Sequence, residues 1–151
     1  MNENLRKDAD IIIRKAIHRV LPDEAVRNAL KDIAFIAGGE TVVHLTGNGK
    51  GGRNQEIALG AAAGISGLEN AAVFSVGSDG TDGPTDAAGG YADGDTAECL
   101  KKAGIDICTV LRENDAYHAL QQSGGLIFTG ATGTNVNDAA VVLIRAGGNC
   151  I

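Results

Sequence analysis

The sequence predicts an α/β fold: a layered, mixed β-sheet flanked by helices and preceded by an N-terminal helical segment. Three observations lead there. Short aliphatic runs, such as Ala71–Val76 and Ala139–Ile144, alternate with stretches of helical periodicity. Glycine-rich polar loops separate these segments. The chain also holds 22 glycines but only five aromatic residues, so its core must be built from Ala, Val, Ile and Leu, as in tightly packed α/β sheets.

In chain order, residues 4–21 read as a helix. Leu5, Ala9, Ile12, Ile13, Ala16, Ile17 and Val20 fall at spacings of three and four and form one apolar stripe, with Arg6, Lys7, Asp10, Arg14 and Lys15 on the other side. Pro22 stops it, and Asp23-Glu24 open a shorter helix to about Leu30. The expected division is residues 1–31 as N-terminal helices and residues 32–151 as the α/β domain. Residues 32–37 read as a strand, Gly38-Gly39 as a hairpin turn and Glu40–Leu45 as the return strand. Ile57–Ile65 is helical and Ala71–Val76 a strand buried on both faces, so strand, helix and strand form a βαβ unit. Asp95 is expected to cap a helix to Lys102, and Asn114-Asp115 to open one through Gln121. Ile105–Val110 fits strand or helix. Leu126–Phe128 and Ala139–Ile144 complete the strands, and the tail from Ala146 reads as loose.

The chemistry concentrates in three loops. In the first, Gly47-Asn48-Gly49-Lys50-Gly51-Gly52-Arg53, four glycines stand in six positions before a helix. Glycine lets a ligand approach the backbone closely, and the first N–H groups of a helix attract an anion. Lys50 adds a full charge, and Arg53 can grip a phosphate or carboxylate with two parallel bonds. The plainer reading is a solvated glycine turn. Glu40 either orients Arg53 or Lys50 or is a solvated strand end. In the second loop, Asp79, Asp82 and Asp86 crowd together; each either caps a turn or serves a ligand. Their spacing is not that of an EF-hand, and no metal ligands are assigned, although a loosely held Mg²⁺ is compatible. The third loop, Thr129–Asp138, offers hydroxyl and amide groups from Thr132, Thr134, Asn135 and Asn137, suited either to a hydroxylated or phosphorylated ligand or to a polar turn. If the strands before these loops lie side by side, the loops converge on one sheet edge and make a pocket.

Composition limits the partners. A net charge of −6 and few aromatics argue against nucleic acid. No run approaches the roughly 18 apolar residues that argue for a membrane span. Three cysteines without metal-ligand spacing (Cys99, Cys108 and Cys150) read as reduced thiols, which places the chain in the cytoplasm. Gly47-x-Gly49-x-x-Gly52 also fits a dinucleotide fingerprint, but the acid expected about 20 residues on is misplaced: Glu69 precedes the next strand. An NAD(P)-dependent reductase is therefore the weaker reading.

The same motifs resemble the C-terminal domain of the glycerate 2-kinase family, the MOFRL domain, members of which are also described as hydroxypyruvate reductases. The resemblance is carried by Gly38-Gly39-Glu40-Thr41, Gly49–Glu56, Asp79–Gly89, Asp93–Thr96, Asn114-Asp115 with Tyr117, and Thr132–Asp138. It implies a glycerate kinase that transfers the γ-phosphoryl group of ATP, with Mg²⁺, to the 2-hydroxyl of D-glycerate. It implies that Arg53, Asp79 and Asp82 serve catalysis. Gly49, Lys50, Gly51, Gly52, Arg53, Asn54, Asp86, Thr132, Thr134, Asn135 and Asn137 would hold the substrate or phosphate. Most of the family's larger, nucleotide-binding-like domain has no counterpart between Leu30 and Ile33, so the chain is expected to keep the C-terminal half. A non-catalytic binding or assembly module is the alternative, with a homo-oligomer formed through the N-terminal helices.

Overall fold

The computed structural model describes residues 32–146. The two expected N-terminal helices and the end of the tail lie outside the described residues. Five strands form one sheet in the order β1-β5-β2-β3-β4, with β1 Ile33–Gly39, β2 Ala71–Gly77, β3 Gly89–Asp93, β4 Leu126–Ile127 and β5 Asp138–Ile144. Among the described residues four helices accompany it: α1 Arg53–Gly64, α2 Thr96–Lys102, α3 Ile107–Glu113 and α4 Ala116–Ser123. The fold is thus the layered α/β arrangement read from the sequence. Every neighbouring pair of strands in the sheet runs antiparallel.

Helix α1 lies between two apolar clusters. On one side Ala61 and Ile65 join Val73, Val142 and Ile144 of the sheet. On the other, Leu59 meets Leu100, Ala116 and Leu120 of the outer helices. Because α1 is buried on both sides, it carries no simple apolar stripe and relies on alanine to fit. The approach is close: a Cβ on Gly90 of β3 would lie 3.0 Å from Ala58 Cβ and 2.6 Å from Leu120 Cδ1.

Four local expectations are corrected. Glu40–Leu45 is not a return strand; β1 is an edge strand whose ladder partner is β5, with Ile33 opposite Ile144 and Gly39 opposite Asp138. Instead the chain leaves the sheet after Gly39, and Asn114 Oδ1 captures it through the N–H groups of Thr46 (2.7 Å) and Gly47 (2.9 Å). A long-range anchor has displaced the local hairpin. The βαβ unit consequently begins at β1, and β5 is inserted between β1 and β2. Strand β2 buries Ala71, Val73 and Ser75 but leaves the alternate residues partly exposed, so one face is covered more fully than the other. Asp95 makes no side-chain cap to α2; the carboxylate of Asp93 takes the N–H groups of Asp95 and Thr96.

The ambiguous stretch after Ile105 is helical. Asp106 caps α3 through Thr109 N–H at 2.8 Å, and Asn114 ends that helix in the left-handed region at φ 55°. β3 had no sequence signal, because Gly89-Gly90 reads as the end of a loop.

Candidate functional site

The second and third loops are tied together through Ser78. Its carbonyl accepts from Thr132 Oγ1 at 2.5 Å, and its Oγ accepts from Val136 N–H at 2.7 Å. The first and second loops touch through backbone: a Cβ on Gly83 would lie 2.7 Å from the Gly51 carbonyl oxygen. Such contact requires the absence of a side chain, and Gly83 also has φ 61°. The first loop follows no strand. It converges on the others because the α3–α4 corner holds it. Glu113 O accepts from Gly49 N–H at 2.8 Å, Asp115 Oδ1 from Lys50 N–H at 2.9 Å, and Lys50 O from Tyr117 N–H at 2.9 Å.

Arg53 stands where the three loops meet. Its Nε donates to Asp138 Oδ2 at 2.5 Å and its Nη2 to Asp138 Oδ1 at 3.0 Å. The two-pronged grip expected for a ligand is therefore made on a carboxylate of the protein. Arg53 keeps 32% of its side chain exposed, whereas Asp138 keeps 6%. One edge of the guanidinium is fixed, leaving it both oriented and accessible. Burial opposes ionisation of Asp138, but hydrogen bonds from Arg53 and Asn54 and the arginine charge hold its carboxyl below the ordinary range.

Asp82 occupies the start of α1. Its Oδ1 accepts from Asn54 N–H at 3.1 Å and Asn54 Nδ2 at 3.3 Å, and its Oδ2 from Gln55 N–H at 2.8 Å. The N–H groups that sequence reading offers to a bound anion are thus taken by an internal one. Asp82 is 1% exposed, and burial pushes its carboxyl upward against those bonds. Gly52 makes room for it: a Cβ there would lie 2.3 Å from Asp82 Cγ. Behind Asp82, Ser75 Oγ donates to Asn54 Oδ1 at 2.5 Å and Gln55 Nε2 donates to Thr85 Oγ1 at 2.8 Å.

Asp86 has the opposite environment. Its carboxylate accepts from Tyr117 OH at 2.8 Å and lies 3.9 Å from Lys50 Nζ. That ammonium sits 3.8 Å from the centre of the Tyr117 ring, a cation–π placement. The tyrosine hydrogen bond, helped by the lysine charge, lowers the Asp86 carboxyl. Asp79 Oδ1 accepts from Thr81 N–H at 3.0 Å, and Asp79 Oδ2 accepts from Asn135 Nδ2 at 3.4 Å. Thr134 lies within the third loop beside Thr132, and Asn137 passes its carbonyl to Ser78 N–H at 3.2 Å.

Sequence reading gives Asn114 and Asp115 only the opening of a helix and assigns no role to Tyr117 or Asp138, although all four lie in the motif segments that carry the family resemblance. Asn114 is 4% exposed and, besides holding the first loop, donates to Glu56 Oε1 at 2.7 Å; burial raises the carboxyl of Glu56. The available signal was composition: amide and acid pairs placed where a helix must end and another begin.

This arrangement, an antiparallel sheet with α1 aimed at three joined polar loops, defines an α/β domain of the MOFRL family. The chain belongs to that family, which matches residues 33–138. It is similar to D-glycerate 2-kinase of Thermotoga maritima, at 59% identity over 114 residues, covering 76% of this chain and 27% of that protein. Glycerate 2-kinase of Pyrococcus horikoshii is 46% identical over 145 residues, 95% of this chain and 32% of the relative. The crystal structure of the Thermotoga maritima glycerate kinase superposes with a TM-score of 0.77 at 50% identity, covering 94% of this chain and 33% of that one. The chain therefore spans between about a quarter and a third of the length of these relatives.

The dinucleotide reading loses its structural frame. No strand leads directly into Gly47-x-Gly49-x-x-Gly52, since β1 ends at Gly39, and Asp82 fills the helix start where a pyrophosphate would bind. Among the described residues no helix is long and apolar enough to cross a membrane.

Proposed function

We propose that this chain supplies the C-terminal, substrate-binding half of an ATP-dependent D-glycerate 2-kinase. The observation that carries the reading is Arg53, anchored on one side by Asp138 and open on the other at the meeting point of three loops. A fixed, accessible guanidinium suits the carboxylate of glycerate or the phosphoryl group in transfer. Lys50 and the backbone of Gly51 and Gly52 support the same anion, Gly49 fastens that loop to Glu113, and Thr132, Thr134, Asn135 and Asn137 stand on the hydroxyl side. Asn54 and Asp82 hold the start of α1, and Asp86 positions Lys50 together with Tyr117. Asp82 is enclosed at the start of α1, so the acid–base or metal-contact role falls to the partly exposed Asp79.

ATP with Mg²⁺ would supply the phosphoryl group and neutralise charge on its oxygens. Among the described residues no three His, Cys, Asp or Glu side chains are grouped to hold a metal by themselves. One carboxylate from Asp79 fits Mg²⁺, which commonly takes one or two carboxylates plus phosphate oxygens. The chain works in the cytoplasm on a small anion, and its catalytic cleft is completed by a further domain or subunit. The test is amide-shift titration of ¹⁵N-labelled protein with D-glycerate, phosphate and Mg-ATP. Saturable shifts at Gly49–Gln55 and Asp79–Asp86, abolished in Arg53→Ala, are expected. An unchanged spectrum at millimolar ligand would refute a substrate subsite.

A further inference from the structure

Two cations meet at the candidate site, and each has its own anchor. Arg53 opens α1 and is fixed by Asp138. Lys50 stands three residues earlier, with Gly51-Gly52 between them, and glycine leaves such a link conformationally permissive. The local chain therefore does not set the spacing of the two charges. A contact from the next turn of α1 does. Glu56 is only 8% exposed, and its Oε1 accepts from Asn114 Nδ2 at 2.7 Å. The other end of that amide, Oδ1, accepts from the N–H groups of Thr46 at 2.7 Å and Gly47 at 2.9 Å. The residues on either side of Asn114 hold Gly49 and Lys50 by their N–H groups. An acid in the first turn of a helix gains from the helix dipole without being buried. Burying it is costly and calls for a hydrogen-bonded purpose.

We propose that Glu56 is a positioning residue of the anion subsite: through the Asn114 amide it ties the Lys50 loop to the helix that carries Arg53, and so sets the separation of the two cations. This rests on the reading of Arg53 and Lys50 as the groups that hold the substrate's anion. The mechanism is selection of one amide orientation. Turned over, Asn114 would set its NH₂ group against two N–H donors and its oxygen against the Glu56 carboxylate, which offers acceptors only. Both ends would then be buried without partners. With Glu56 in place the orientation is single, and the loop has one position relative to α1.

The full chain is titrated with D-glycerate and with inorganic phosphate by amide shifts, and amide exchange is read at Thr46 and Gly47. Glu56→Gln keeps an acceptor for Asn114 Nδ2 and should bind as the wild type does. Glu56→Met fills similar space without an acceptor: affinity should fall about tenfold, and exchange at Thr46 and Gly47 should quicken while the amides of β2 keep their rates. In a Lys50→Ala background Glu56→Met should cost no further affinity, a result that general destabilisation would not reproduce. A second pair decides the matter if the methionine variant does not fold. Asn114→Asp sets two carboxylates together and should lose affinity; adding Glu56→Gln should restore it, because the new amide donates to the new carboxylate. Wild-type affinity in Glu56→Met, or no recovery in the Asn114→Asp/Glu56→Gln chain, would overturn the proposal and leave the subsite reading standing. A wild-type chain that binds neither ligand would remove the subsite and, with it, this role for Glu56.

Discussion

Asp82 and Asp86 lie four residues apart on one loop and do opposite work. Asp82 is enclosed, and its oxygens are taken by the first turn of α1. Asp86 is exposed and shares an oxygen between Tyr117 and the field of Lys50. The first fastens one structural element to another; the second lies beside a cation that faces solvent. Residue type and loop are the same in both, so the difference comes from what the fold places opposite each. It teaches that a cluster of acids in a glycine loop is not one chemical unit. Burial pushes Asp82 up, while a hydrogen bond draws Asp86 down.

The sharpest way to break this contrast is Asp82→Ala. It strips two backbone N–H groups and the Asn54 amide of a buried acceptor, so a loss on the order of 3 kcal/mol is expected. Urea unfolding measures it; a loss no larger than that of a surface substitution, about 0.5 kcal/mol, would mean that Asp82 fastens nothing. Gly52→Ala should act next, by pushing a methyl into the same carboxylate, at a cost of about 2 kcal/mol. The pair should be markedly non-additive, since removing Asp82 opens the space that the new methyl needs.

Arg53→Lys sharpens the comparison from the ligand side. It keeps the charge but loses the fork held by Asp138, and D-glycerate affinity should fall roughly tenfold, about 1.4 kcal/mol. Equal affinity in the titration would show that charge alone suffices.

Acid should separate the two kinds of carboxyl. For Asp82 and Glu56, raised by burial, the folded state holds its proton more tightly than the unfolded chain. Stability therefore rises as pH falls from their raised values toward the ordinary ones, 3.8 for Asp82 and 4.5 for Glu56. Asp138 is lowered, so its contribution is complete above the ordinary 3.8 and is lost as pH drops through its folded value. Urea midpoints across this range should pass through a maximum, and Asp138→Asn should make the acid limb shallower, leaving the part that comes from the other lowered carboxyls, Asp86, Asp93 and Asp106. The smallest effect is expected from Tyr117→Phe: the Asp86 carboxyl should move back up toward 3.8, visible in its carboxyl carbon titration, with the fold intact.

Particular residues show how far the sequence could be read. Ala71–Val76, Ala139–Ile144 and Ile57–Ile65 carry their own signals, and each became an element within a few residues of its expected bounds. Glu40–Leu45 has the alternation of a strand but no free partner: β1 already pairs with β5, and Asn114 pulls the chain toward the α3–α4 corner. Arg53 stood out in the sequence as a candidate for gripping an anion, whereas the carboxylate it holds in the structure, Asp138, 85 residues away, did not. The difference is between local and distant information.

By itself, the sequence determined the layered α/β class, the aliphatic core and the three polar loops, because spacing and composition act within a few residues. Tertiary structure alone decided the strand order, with β5 inserted between β1 and β2. It also decided that Asp82 rather than a ligand caps α1, and that Arg53 is held open by Asp138. Those outcomes depend on which buried donor meets which acceptor across 27 to 85 residues of chain, and no local pattern encodes that pairing.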